Sequence, residues 1–446
     1  MNTSPYASAS GNPSSRRRWR LQIFAITWLA YAAFYFTRKA FSVAKLGIGD
    51  DPDLLMEKAV MANLDALYLG AYAVGQFTWG ILADRFGPRV VVLGGLIISA
   101  LAAAIMGTFA TLPIFATCML VQGLAQSTGW SGLCKNIGSF FSTQERGRVL
   151  GWWCTCYAFG GLVASPFAGW MAYEVYGNWR AAFISTAAVV AIVALLFFIF
   201  QRNRPQDVGL PPAEPLGETD EAAVQAHPSF VSCLKTIIKN RTVLVLGLAY
   251  FMLKPARYAI LLWGPVMVYE RMPEIGKVAS AIVPSAFEVA GLAGPILIGL
   301  LSDKFFGARR FPACVISLIA LTACLILFVP AMATGSVLVV VALLFMMGLT
   351  LYGPDSMISG AAAIDFGKET AGTAAGFVNG CGSVGAVLGG LLPGYFDTET
   401  VFLCFSGSAV FAVLIMLPFW NSRPQGRVSP DPFIPNRDIS STPVKA

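Results

Sequence analysis

Long apolar runs broken by short polar segments dominate this chain between about residues 21 and 420. A helix needs about 20 mostly apolar residues to cross the hydrocarbon core of a bilayer. Six stretches of that kind come first, at about 21–45, 61–82, 89–109, 112–138, 149–172 and 180–201, and six more follow at about 242–270, 278–301, 311–331, 334–363, 371–394 and 401–420. Between the sets lies the longest internal polar segment, 202–240, whose Pro-Gly-rich opening reads as a linker and whose end, 228–239, has the pattern of an amphipathic surface helix. The pattern predicts an all-α membrane protein of twelve transmembrane helices in two six-helix halves. Its parts are an N-terminal tail 1–20, a half 21–201, a linker 202–240, a second half 241–420 and a Pro-rich tail 421–446.

Composition agrees, with 56% hydrophobic and 12% charged residues, where soluble domains carry about 25% charged; mean hydropathy is +0.66. The 31 Lys and Arg are unevenly spread. With both termini inside, the inner loops and tails hold 21 of them and the outer loops five, namely Lys45, Lys58, Arg180, Arg271 and Lys277. The asymmetry predicts cytoplasmic termini and a multi-pass protein of the inner, cytoplasmic membrane. The first 20 residues lack the apolar core of a signal peptide. The net charge of +7 sits beside spans and does not point to nucleic acid. Nine cysteines have no zinc or disulfide spacing. The only histidine, His227, is in the linker, which excludes a histidine relay within the membrane. With no nucleophile–base set either, an enzyme is not expected.

Two arginines stand out. Arg38 lies in Tyr31-Ala-Ala-Phe-Tyr-Phe-Thr-Arg-Lys-Ala-Phe41 and Arg257 in Lys254-Pro-Ala-Arg-Tyr-Ala-Ile-Leu-Leu-Trp263, 219 residues apart. The charged segment from Gly80 recurs from Gly299 at the same offset, so the halves read as a duplication with one arginine each. Arg257 falls mid-span; the repeat places Arg38 deep as well, on a long tilted first helix, although alone it reads equally as an outer flank. An arginine in hydrocarbon is costly and normally faces a cavity or a partner. Two guanidinium forks, one from each half, suit a phosphate dianion at a central interface.

Other polar residues carry less weight. Asp84 with Arg85 and Arg89, and Asp303 with Lys304, Arg309 and Arg310, form equivalent clusters at inner helix ends and read as conformational latches or as solvated loops. Glu288 and Asp355 could pair with Lys254 or Arg257, or serve helix packing. Tyr31, Tyr35, Tyr72 and Tyr352 could line a cavity or simply pack. Glycines such as Gly376 to Gly390 read as close helix contact.

Several stretches together resemble the organophosphate:phosphate antiporters of the major facilitator superfamily. They are the Arg38 stretch, Gln122-Gly-Leu-Ala-Gln-Ser-Thr-Gly-Trp130, Gln144-Glu-Arg-Gly147, Arg204-Pro-Gln-Asp-Val-Gly-Leu-Pro-Pro212, Phe287-Glu-Val-Ala-Gly291, Tyr352-Gly-Pro354 and Thr370-Ala-Gly-Thr-Ala-Ala-Gly-Phe377. The resemblance implies alternating-access exchange of a glycerol-phosphate or sugar-phosphate class metabolite for inorganic phosphate. Arg38 and Arg257 would bind the phosphate, with Lys39, Tyr31, Tyr35, Tyr72, Tyr352 and Glu288 in or around the path. The expected partners are that anionic substrate, phosphate and the lipid bilayer, with no cofactor and no metal, and the expected state is a monomer. A sugar-phosphate sensor and a carrier of a non-phosphate anion are the alternatives. Departures fall around the pocket. Gln76 stands where such members have a lysine, Tyr157 where the glycerol-phosphate type has a histidine, Leu262 for an acid or amide, and Ser383 for a tyrosine. Lys254, one turn before Arg257, replaces a tyrosine and could supply the cation missing at Gln76.

Overall fold

The structure is a computed structural model and describes residues 13–52, 54, 56–211, 213, 239–307, 309–362 and 371–422. In chain order its helices are α1 (Pro13–Ile48), α2 (Lys58–Phe86), α3 (Pro88–Thr108), α4 (Leu112–Gln126), α5 (Thr128–Phe140), α6 (Thr143–Trp153), α7 (Thr155–Trp170) and α8 (Arg180–Phe200). The second set is α9 (Arg241–Arg271), α10 (Gly276–Ile282), α11 (Ser285–Leu300), α12 (Arg310–Ala333), α13 (Val337–Ser356), α14 (Ala371–Tyr395) and α15 (Thr398–Met416). Three spans are each built from two helices, α4 with α5, α6 with α7 and α10 with α11, so the fifteen helices make the twelve crossings that the apolar pattern predicts.

Eight stretches meet the length and hydropathy of a membrane span outright. The others fall short for physical reasons. α1 and α2 carry buried charges, and the α4–α5 and α6–α7 spans are broken at Ser127 and Cys154. Interior prolines shape several spans, because proline cannot donate to the preceding turn and crowds the carbonyl four residues back. Pro166, Pro295 and Pro354 each precede a π turn at the end of their helix, at Met171–Val175, Leu301–Phe305 and Met357–Ala362.

α1 is longer than the apolar run 21–45 at both ends. At its start, Arg20 donates to the Phe140 carbonyl (3.0 Å) and pairs with Glu145 (3.0 Å), which ties its polar first turns to the α5–α6 corner. At its end, Lys45, expected on an outer loop, lies inside the helix and is 2% exposed. Its ion pair with Asp65 of α2 holds it there. Of the surface helix expected at 228–239, residues 228–238 lie outside the described residues, as does the tail from 423.

Across the two sets of helices, α2 packs along α14, α7 along α10 and α11, and α1 against α9. Glycine permits the closest of these approaches. A Cβ on Gly394 would sit 2.1 Å from that of Ala62, and one on Gly390 3.0 Å from that of Asp65. Within the second set, Gly385 and Gly389 bring α14 onto the carbonyls of Phe251 and Pro255 of α9, at 2.2 and 2.3 Å from where a Cβ would stand. These contacts draw the sets together around a central cavity.

Candidate functional site

The cavity has a volume of about 600 Å3 and draws its walls from both sets of helices. Its first-set wall is aromatic. Tyr31, Tyr35 and Arg38 repeat at four and three residues along α1 and share one face; Tyr72 and Gln76 join from α2, Trp130 from α5 and Tyr157 from α7. The opposite wall is more polar, with Lys254 and Arg257 from α9, Asp355 from α13, and Asn379 and Ser383 from α14.

Arg38 is held by neutral groups. Its Nε donates to Gln126 Oε1 (3.0 Å), and its guanidinium lies over the rings of Tyr35 (4.6 Å) and Tyr72 (5.1 Å). Such ring faces stabilise a cation while contributing no full charge. Gln126 is itself fixed, accepting from the Tyr68 hydroxyl (2.7 Å) and donating to Thr37 (3.1 Å). Among the described residues no carboxylate is paired with Arg38.

Arg257 is held by an acid. Its Nη1 donates to Asp355 Oδ2 (2.8 Å), and Lys254 Nζ lies 3.0 Å from Oδ1 of the same carboxylate. Arg257 also lies over Tyr352 (4.5 Å) and Tyr157 (5.4 Å), and its buried Nε has no hydrogen-bond partner. Lys254 therefore reaches the cavity that Gln76 lines, and does so in an ion pair with Asp355.

Three residues expected in or around the path do not line the cavity. Adjacent positions on a helix point about 100° apart, so Lys39 faces away from the side that Arg38 uses. It is 2% exposed, donates to the Leu261 carbonyl (2.9 Å) and lies 3.8 Å from Glu288. Glu288 in turn accepts from the Tyr352 hydroxyl. Lys39, Glu288 and Tyr352 thus form a buried layer behind the wall, with Tyr352 stacked on Tyr157 at 6.4 Å. The acid of this layer pairs with Lys39, not with Lys254 or Arg257.

The cavity runs toward the end where α2 and α13 finish and α14 begins. Past the cavity, the opposite end is closed by contacts between the two sets. Lys45, paired with Asp65, donates to the Leu262 carbonyl (3.1 Å) and sits 3.7 Å over the Trp263 ring. Ser42 donates to the Leu261 carbonyl (3.3 Å), and within the second set Trp263 Nε1 donates to the Gly390 carbonyl (2.9 Å), which fixes the ring that Lys45 covers. Outside this plug, Lys58 pairs with Glu270 (2.8 Å) and Lys277 with Asp50 (2.6 Å).

The charged clusters expected as latches make contacts at the ends of their helices. Asp303 pairs with Arg310 (2.8 Å), which also donates to Ser302, while Arg309 donates to the Phe306 carbonyl and to Asn421. Arg89 donates to the Phe198 carbonyl, and Arg85 lies over Phe86. Each contact stays within its own set of helices. The side chain of Asp84 lies outside the described residues.

Sequence reasoning missed Gln126, Trp130 and the Lys45–Asp65 pair. The first two lie in a motif already singled out, and Asp65 is a lone acid in an apolar run, which was itself a signal. Among the described residues, no group of three or more His, Cys, Asp or Glu could hold a metal.

The sequence profile of the Major Facilitator Superfamily matches residues 27–390. A probable hexose phosphate transport protein of Chlamydia muridarum is 28% identical over 425 residues, covering 91% of this chain and 92% of that one. The glycerol-3-phosphate transporter of Bacillus subtilis is 26% identical over 426 residues, covering 91% and 93%. The membrane sensor protein UhpC of Escherichia coli is 29% identical over 425 residues, again covering 91% and 93%. In fold, the chain is similar to a bacterial homolog of the human lysosomal transporter Spinster, solved inward-facing and unoccupied, with a TM-score of 0.69 at 15% identity over 92% of this chain and 96% of that one. The chain is thus a multi-pass membrane transport protein and not an enzyme, and it belongs to the Major Facilitator Superfamily, in the organophosphate:phosphate antiporter family that its motifs resemble.

Proposed function

We propose that the protein exchanges a phosphorylated organic metabolite, of the sugar-phosphate or glycerol-phosphate class, for inorganic phosphate. The observation that carries this reading is the meeting of Arg38 and Arg257, one from each half, in a single cavity. A phosphate monoester carries nearly two negative charges near pH 7 and several acceptor oxygens, and a guanidinium offers it a planar fork that stays charged. Tyrosine faces orient both forks without competing for them, and the names of the relatives point to the same class of anion.

Bridging both halves, the anion would draw them together, and the plug at Lys45, Asp65 and Trp263 would open as the cavity closes. The two halves, 21–201 and 241–420, rock about the site in this scheme, and the anion crosses without a continuous channel. With both termini cytoplasmic, in the inner membrane, the cavity runs toward the cytoplasm and the plug seals the outer side. Lys39, Glu288 and Tyr352 act as the support behind Arg257. The carrier works as a monomer.

The likeness to a membrane sensor favours a second reading, in which the same cavity binds a sugar phosphate to signal and not to supply the cell. Proteoliposomes loaded with phosphate separate the two. Rapid exchange of external radiolabelled phosphate, competed by phosphate esters and not by carboxylates, is expected. Binding of esters without such exchange would favour the sensor, and competition by carboxylates alone would favour a non-phosphate anion.

A further inference from the structure

Resting on the reading of the cavity as a phosphate-ester site, we propose that Asp355 determines specificity by setting the charge of the anion that the site accepts, a dianion in preference to a monoanion. Among the described residues that line the cavity, the ionisable side chains that carry charge near pH 7 are three cations, Arg38, Lys254 and Arg257, and one carboxylate, Asp355. They leave two net positive charges. All four are buried, at 5% exposure for Arg38 and Asp355 and 9% for Lys254 and Arg257. Uncompensated charge is strongly disfavoured away from water, so an occluded site holding two net positive charges is matched by an anion carrying two negative ones.

The carboxylate is placed to balance the charge without taking over the clamp. It touches Arg257 through Nη1 alone and leaves Nε without a partner. Toward Lys254 it makes a 3.0 Å ion contact but no aligned hydrogen bond at Oδ1. The surrounding groups do not alter the count. Tyr250 on α9 and Tyr157 on α7 are neutral near pH 7, and Glu288 on α11 is turned to Lys39 and to Tyr352 on the helix of Asp355 itself. Gln76 supplies no charge from α2. Lys254 and Asp355 therefore cancel as a pair, and removing either changes the net charge by one in opposite directions.

The test compares methyl phosphate with dimethyl phosphate in equilibrium binding to the purified full chain at pH 8. The monoester, with a second pKa of about 6, is then almost wholly a dianion, and the diester keeps a single charge. The extra methyl group is the same for every variant, so the change in the affinity ratio isolates charge. Wild type is expected to favour the monoester by at least about tenfold. Lys254→Gln should erase or invert that preference, Asp355→Asn should widen it, and the double variant should return to within about threefold of wild type, as paired sites do when their coupling is restored. Should Asp355→Asn be unstable because it strands two buried cations, Lys254→Gln and the double variant still decide. A ratio unmoved by Lys254→Gln, or a double variant no closer to wild type than Lys254→Gln, overturns the assignment while leaving the phosphate reading intact. A wild type that binds neither ester overturns both.

Discussion

Arg38 and Arg257 occupy equivalent places in a repeated chain, yet they are held in opposite ways. Arg38 rests on ring faces and the Gln126 amide, with no acid paired to it among the described residues. Arg257 shares Asp355 with a second cation, Lys254. The first arrangement makes a receptor whose charge is left for a ligand to satisfy. The second makes one whose charge is already partly satisfied and can be traded between an internal carboxylate and an incoming anion. In the proposed exchange the Arg38 side would act as a fixed anchor for the anion and the Arg257 side as an adjustable one.

The most severe way to break the comparison is to remove a fork and keep its charge. Arg38→Lys and Arg257→Lys should each lower phosphate exchange by on the order of 100-fold or more, with insertion unchanged, because lysine cannot engage phosphate bidentately. Exchange rates in proteoliposomes, normalised to inserted protein, report this, and near-normal rates in both variants would remove the clamp.

A milder change sharpens the contrast. Gln126→Leu removes the side-chain hydrogen bond that Arg38 Nε makes to the Gln126 amide, a bond with no counterpart on the Arg257 side, where Nε has no partner. One hydrogen bond to a charged group supports a loss of about tenfold in phosphate affinity, measurable by equilibrium binding, with the preference between monoester and diester preserved. A shift in that preference instead would mean that Gln126 does more than position Arg38.

The plug tests whether the two anchors also differ in their coupling to the closed end. Lys45→Met strands Asp65, and losing one member of a buried pair is strongly destabilising. A cysteine placed at Leu69, beside the Gly390 contact, should then react several-fold faster with an external thiol reagent. Unchanged labelling would show that the plug does not depend on this pair.

The smallest effect is expected at Asp303. Its carboxylate is 59% exposed and its bond to Arg310 lies within one half, so Asp303→Asn should slow turnover by roughly two- to threefold with little change in KM, in keeping with the worth of exposed ion pairs. A large rise in KM would place Asp303 in communication with the cavity.

The sequence made legible what hydropathy and repetition encode. Twelve spans follow from apolar length, and the offset between Arg38 and Arg257 put both deep in the protein. Less legible was anything set by which way a side chain points. Lys39, next to Arg38, is turned about 100° around the helix into a layer with Glu288 and Tyr352 that no spacing within α1 reveals. Lys45 stood at the fading edge of an apolar run, and its burial depends on Asp65, an acid in another helix. That Asp355 and not Glu288 would take Lys254 and Arg257 depended on the packing of α13 against α9.

The central claim is that one phosphate is gripped by both arginines at once. A crystal of the full chain soaked with arsenate, a phosphate isostere that its anomalous scattering locates, tests it directly. A single anomalous peak within hydrogen-bond reach of Arg38 and Arg257 together, absent in Arg38→Lys, is the expected result. A peak seated on only one of the two arginines, or outside the cavity altogether, would contradict it.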